Sequence, residues 1–323
     1  MPSPPNRVRR ALIFTLSALP LAGALPVHAA QVADTVRIGY QKSSTLLTII
    51  KTRGTLEQLL APLGIKVSWH EFANGLPLLE ALNVGAIDVS ADVADTVPVF
   101  AQAAGAKFTY LAQEAPSPSA QAIVVRAESP FKSVADLKGR KVAVTKATGS
   151  HYLLIAALEK AGLKFKDVDA AYLTPADGRA AFERGSVDAW VTWDPFLAAV
   201  QRQSKIRLLA DGRRVANYQR YYLAASSFAL AHPDVLAIVF EELRKAGRWV
   251  KSNPTQAGAL LAPIWGLDAA TVELANSRRS YDVRTVVVDQ LKEQQRIADV
   301  FLSAGLLPKK VNVSAVALWK PKK

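Results

Sequence analysis

The chain contains no cysteine, so disulfides, thiolate metal sites and thiol nucleophiles are excluded at the outset. A lipid anchor attached through a cysteine behind a leader is excluded with them. Long apolar runs are also missing. The stretch Ala11 to Leu25 falls short of the roughly 20 residues a spanning helix needs. No Lys/Arg run with interleaved aromatics occurs before Lys320, which argues against nucleic acid as a partner. His70 and His232 are too remote from each other for metal-ligand spacing. No Ser/His/Asp or nucleophile motif is visible. Neither catalysis, nor a metal, nor a cofactor is expected.

What is present begins with a leader pattern. Arg7, Arg9 and Arg10 make a positive start, the apolar run follows, and Val27 and Ala29 have the small-residue spacing that signal peptidase reads. Residues 1–30 are therefore expected to be a removable signal peptide. The Arg9-Arg10 pair leaves Sec and twin-arginine export both open. An exported chain without a lipid anchor is expected in a periplasm. Lys and Arg number 40 against 27 Asp and Glu, a formal charge of +13 that falls to +10 without the three leader arginines. That excess favours an anionic partner.

From Val36 to about Tyr222, strand-like apolar runs alternate with helical patterns, the signature of an α/β fold with mainly parallel sheets. The pattern occurs twice. Ile38-Gly39-Tyr40-Gln41-Lys42-Ser43-Ser44 is echoed by Val142-Ala143-Val144-Thr145-Lys146-Ala147-Thr148. Ala81 to Asp88, with Gly85-Ala86-Ile87-Asp88, is echoed by Ala181 to Asp188, with Gly185-Ser186-Val187-Asp188. Each glycine suits the left-handed position after a helix. Asn74 and Thr174 read as N-caps, the latter with Pro175 at the first helical position. Two matched units imply two lobes. Beyond Tyr222 the pattern is helical, punctuated by His232-Pro233, Asn253-Pro254, Gly266 and Leu307-Pro308. The expected division is residues 31–115 plus 226–315 as lobe 1, 116–225 as lobe 2, and 316–323 as a frayed basic tail.

Ligands of open α/β sheets sit beyond the carboxyl ends of the strands, where helix N-termini point. That places Gln41, Lys42, Ser43 and Ser44 opposite Thr148, Gly149, Ser150 and His151 across an interlobe cleft. Two helix starts offer free N–H groups and positive dipole ends, and the hydroxyls add donors without charge. The set suits an oxyanion. Strand alternation puts Trp190 and Trp193 on opposite faces. Trp193, next to the strand end, is the better candidate for an organic tail. Asp194 is either a turn residue capping the next helix or a site residue. His151 fits a capping role or a supporting one. Arg279, like Arg278 beside it, is a candidate to reach the cleft.

With these residues in hand, the chain resembles the aliphatic-sulfonate-binding proteins of ABC importers, within the nitrate/sulfonate/taurine group. The resemblance runs from Val36 to Val313. It is carried by Arg37 to Lys42, Glu80 to Asp88, Phe100 to Ala106, Val134 to Gly139, Tyr172 to Asp177, Asp188 to Trp190, Trp193 to Pro195, and Leu307 to Val311. It implies a type II periplasmic-binding-protein fold closing on an organic sulfonate for sulfur uptake. It also implies a membrane permease and an ATPase as partners, no catalysis, and a monomer. Two turns depart from the family pattern: Val89 to Thr96, and Ala147-Thr148-Gly149-Ser150. The first brings Asp92 and Asp95 near the cleft. There one of them would meet a cationic or hydroxyl-bearing tail, as in an aminosulfonate, or both would face solvent. Rival readings are another ligand on this fold (nitrate, bicarbonate, taurine or a pyrimidine precursor), an enzyme on the same architecture, or a sensory module.

Overall fold

A computed structural model describes residues 1–2, 34–41 and 43–321. The leader assigned to residues 1–30, apart from its first two residues, lies outside the described residues, as does Lys42. The strands that matter for the site are β1 Thr35–Gln41, β2 Lys66–Phe72, β3 Val89–Ala94, β4 Phe108–Glu114, β5 Gln121–Arg126, β6 Lys141–Val144, β7 Asp169–Tyr172, β8 Ala189–Trp193, β9 Ile206–Asp211 and β10 Arg220–Ala225. They form two sheets. One runs β4-β10-β3-β1-β2, with short strands Val283–Arg284 and Ala317–Leu318 both paired to β4; the other runs β7-β6-β8-β5-β9.

Both sheets are mixed. β1 pairs in parallel with β2 and β3, and β6 with β7 and β8, as the alternating pattern predicts. Apart from the short strand Val283–Arg284, the antiparallel component comes from β5, which follows directly on the crossing out of the first sheet, and from β10, which follows the crossing back. A strand entering from the other half meets its neighbours head-on and needs no helix to reverse it.

The echoed segments make the same contacts in each half. Gly85 and Gly185 both adopt left-handed φ, 73° and 75°. The N–H of Ala86 donates to the Ala81 carbonyl and that of Ser186 to the Ala181 carbonyl, both at 2.8 Å. Asp88 accepts the Arg37 N–H at 2.8 Å, and Asp188 accepts the Lys141 N–H at 2.9 Å. Each aspartate thus pins the start of a parallel strand to the end of the helix that precedes its partner.

Two boundaries differ from the sequence reading. β10 hydrogen-bonds to β3 and β4, so the return crossing lies between Asp211 and Arg220 rather than near residue 225. The cause is burial: every residue of β10 is buried, and a strand apolar on both faces belongs at a sheet centre. The second correction concerns the C-terminal tail. Ala317–Leu318 pairs with β4, the Trp319 N–H donates to the Tyr110 carbonyl at 2.9 Å, and the indole packs on Phe240. Burying that indole outweighs the fraying expected of a basic end.

Candidate functional site

A small cavity lies between the two halves. Gln41 at the end of β1 and Asn74-Gly75 at the start of helix Gly75–Asn83 line it from the first half, with Ala94 and Val97. Thr148-Gly149, opening helix Gly149–Lys160, and Trp193 at the end of β8 face them from the second half. Tyr218 and Arg220, on the return crossing and at the start of β10, complete the wall. The space between these atoms is about 310 Å3. A larger depression, about 890 Å3, lies beside Ile155, Glu159, Lys164 and Ser303. Its polar side chains are exposed, and only the single 3-10 turn Phe165–Asp167 starts there, so it lacks the paired α-helix starts of the smaller cavity.

Both helix starts are built by N-caps. Asn74 accepts the Leu76 N–H at 3.1 Å, and Thr148 accepts the His151 N–H at 3.4 Å while its own hydroxyl donates to the Thr145 carbonyl. The first-turn N–H groups that remain carry the positive end of each dipole toward the cavity. Glycine at the first helical position brings the backbone close. A Cβ on Gly149 would lie 2.6 Å from the Tyr218 ring, and one on Gly75 would lie 3.0 Å from Val97.

Behind the wall sits a buried charge network. Arg220 Nη2 donates to Asp92 Oδ2 at 2.6 Å, and Arg220 Nη1 donates to the Tyr218 hydroxyl at 2.8 Å. Arg279 Nη2 reaches Asp92 Oδ2 at 3.1 Å and Glu114 Oε2 at 2.7 Å; the Tyr222 hydroxyl donates to Glu114 at 2.7 Å. Burial works against the charge of Arg279, but Glu114, Tyr281 and Asp92 outweigh it and hold the guanidinium well above its usual pKa. Two arginines and two carboxylates balance, and of the four only Arg220 lines the cavity. A charge removed from water must be paired in this way.

The structure brings Gln41, Thr148, Gly149 and Trp193 together on the cavity wall. The other candidates lie elsewhere. Ser44 is fully buried behind β1, its Oγ accepting the Gln41 N–H at 3.3 Å; Ser43 is half-buried, and neither lines the cavity. The helix start that the first half contributes is Asn74-Gly75. Ser150 is fully buried, and its Oγ has no partner among the described residues. The His151 ring accepts the Ala147 N–H at 3.1 Å and packs among Phe165, Tyr172 and Phe301. Burial, helped by Lys146, holds it down to about 4, so it is neutral and serves the interior.

Neither acidic candidate near β3 lines the cavity. Asp92 is occupied by Arg220 and Arg279. Asp95 accepts the Gln219 N–H at 3.0 Å, and burial pushes its carboxyl up to about 7. Arg279 is drawn inward by Glu114 and does not reach the wall. Asp194 caps the next helix through the Ala198 N–H at 3.0 Å and meets Arg278 of the first half at 2.9 Å. Trp190 packs on Phe182, on the opposite face from Trp193.

Sequence reasoning missed Tyr218 and Arg220. A signal existed for the second: a lone arginine opening the buried strand Arg220–Ala225 requires a partner. The aspartate inside Val89–Ala94 is that partner. For Tyr218, which sits in an irregular crossing, no periodicity could have marked it.

Comparison with known proteins gives the chain a family and solved structures of the same fold. The family model described as NMT1/THI5 like matches residues 61–257. Over 309 residues the chain is 41% identical to a protein of Escherichia coli (strain K12) named for binding aliphatic sulfonates, covering 94% of this chain and 96% of that one. The crystal structure of the periplasmic aliphatic sulphonate binding protein from Escherichia coli matches with a TM-score of 0.83 at 41% identity, covering 90% of this chain and 93% of that one. The alkanesulfonate-binding protein from Xanthomonas axonopodis pv. citri, bound to MOPS, matches with a TM-score of 0.81 at 37% identity, covering 87% and 96%. Identity of this extent, carried on the same paired-sheet architecture, makes the chain a member of the NMT1/THI5-like family, with the fold of the periplasmic binding proteins.

Proposed function

We propose that this protein captures an organic sulfonate between its two halves and hands it to the permease and ATPase of an ABC importer. It acts as a soluble, monomeric periplasmic component for sulfur uptake and catalyses no reaction. The division of labour is two lobes, one built on each sheet, joined by the crossings at residues 115–120 and 212–219. The observation that carries the reading is the convergence of Gly75, Gly149 and Arg220 on one buried cavity. A sulfonate is a permanent anion with three acceptor oxygens. It needs several fixed donors and no proton acceptor, and helix starts beside a guanidinium supply that.

The tail of the ligand is uncharged in this reading. Asp92 is neutralised by its arginines and Asp95 is pushed toward its neutral form, so no free carboxylate stands ready for an ammonium group. Trp193, Val97 and Ala94 offer an apolar wall instead. Alkanesulfonates are therefore favoured over taurine. Calorimetric titration with ethanesulfonate, butanesulfonate, taurine and nitrate tests this. Micromolar binding, roughly −8 kcal/mol, is expected for the first two, and taurine should be weaker. Nitrate or taurine binding more tightly than butanesulfonate would overturn the assignment.

A further inference from the structure

We propose that Tyr218 is the gauge of this site: its hydroxyl fixes the Arg220 guanidinium that meets the anionic head, and its ring limits the length and bulk of the organic tail. The inference deepens the sulfonate reading and rests on it.

Tyr218 is held in an unusual backbone conformation for a large side chain, φ 50°. Left-handed φ is strained for a bulky residue and persists where the surroundings over-determine it. Here both neighbours are tied. The Asn217 carbonyl accepts the Ser117 N–H from the other crossing at 3.1 Å, and Gln219 exchanges two bonds with Asp95, each 3.0 Å. Pinned on either side, the residue turns its ring onto the first turn of helix Gly149–Lys160, where only glycine leaves room for it. The ring is buried and forms part of the cavity wall.

The hydroxyl has two functions. It accepts a hydrogen bond from Arg220 Nη1 at 2.8 Å, which together with Asp92 leaves that guanidinium a single orientation. Burial pushes the phenol up to about 12, so the oxygen keeps its own proton as a further donor beside the cavity. Because Tyr218 belongs to a crossing between the halves, the group that sets the depth of the cavity is also tied to their relative position. A residue that merely filled space would affect stability without changing which sulfonate is preferred.

The test is calorimetric titration of the mature protein and two variants with ethanesulfonate, butanesulfonate and octanesulfonate. Tyr218→Phe is expected to weaken all three alike, by about tenfold, through loss of one charge-assisted hydrogen bond. Tyr218→Ala is expected to raise octanesulfonate affinity relative to ethanesulfonate by about tenfold or more, as buried methylenes replace the ring. Should Tyr218→Ala fail to melt cooperatively, Tyr218→Leu replaces it, with the same direction and a smaller shift. An unchanged octane-to-ethane ratio in the folded variant overturns the gauge while leaving the sulfonate reading intact. A wild type that binds no member of the series overturns the sulfonate reading, and the gauge with it.

Discussion

The two halves of this molecule are alike where they are scaffold and unlike where they bind. Gly85 to Asp88 and Gly185 to Asp188 share φ, hydrogen bonds and strand partners. The helix starts do not correspond in the same way. In the first half the cavity takes the helix after β2, at Asn74-Gly75; in the second it takes the helix after β6, at Thr148-Gly149. Their echo partners are used otherwise. Ser44 is buried behind β1, and Thr174 is an exposed cap bonded to the Asp177 N–H at 3.2 Å. An internal echo therefore reports shared architecture, whereas a small ligand needs only one wall from each half. The walls need not be equivalent.

The largest effect expected is on the charge network, which has no counterpart in the second half. Arg279→Met leaves Glu114 and Asp92 short of a buried partner and should destabilise the protein by about 3–5 kcal/mol in denaturant titration. A change below about 1 kcal/mol would mean that water reaches the network.

Affinity should break the comparison of the helix starts. Thr148→Ala is expected to weaken sulfonate binding by about tenfold while costing about 1 kcal/mol of stability, the usual effect of a lost cap. Thr174→Ala should show a similar stability loss with no change in affinity, and Ser44→Ala should leave affinity within about threefold. Equal affinity losses for Ser44→Ala and Thr148→Ala would restore a symmetric cleft.

The scaffold echo can be sharpened by paired substitutions. Asp88 accepts both the Arg37 N–H and its half-exposed guanidinium, whereas Asp188 accepts the Lys141 N–H. Asp188→Ala should cost about 1 kcal/mol and Asp88→Ala up to about 1 kcal/mol more, the contribution of its part-exposed ion pair. Matching melts for the two variants would show that the Arg37 side chain contributes nothing.

The last effect is a pH dependence. Asp95 is raised to about 7 in the folded protein from an ordinary value near 3.8. Between those values the folded state binds more protons than the unfolded chain, so this group makes stability fall as pH rises from about 4 to about 7. His151, lowered to about 4, acts with the opposite sign below about 6.5. The measurement is therefore a difference. Asp95→Asn should gain stability relative to wild type as pH rises through that window, and parallel curves would remove Asp95 as the source.

Much of the fold was legible in the residues. Glycine at a left-handed helix end, aspartate after a β-branched residue, and Thr174-Pro175 are local devices whose chemistry depends on their immediate neighbours. Trp193 and Thr148 were readable for the same reason, since each sits at a strand end or helix start. Arg279 and Asp92 were misplaced because their type suggests an anion site while their environment is set by residues such as Glu114 and Arg220, far away in the chain. The docked tail was misread because the basic Lys320 to Lys323 end hides the buried indole at Trp319.

By itself the sequence determined a cysteine-free α/β chain of two matched units whose periodicity and caps are local properties. Only the tertiary structure decided which helix starts face one another, which charges are consumed within the core, and that Tyr218 stands between them. Those outcomes depend on how two sheets and two crossings pack, and packing brings together residues that no short-range pattern connects.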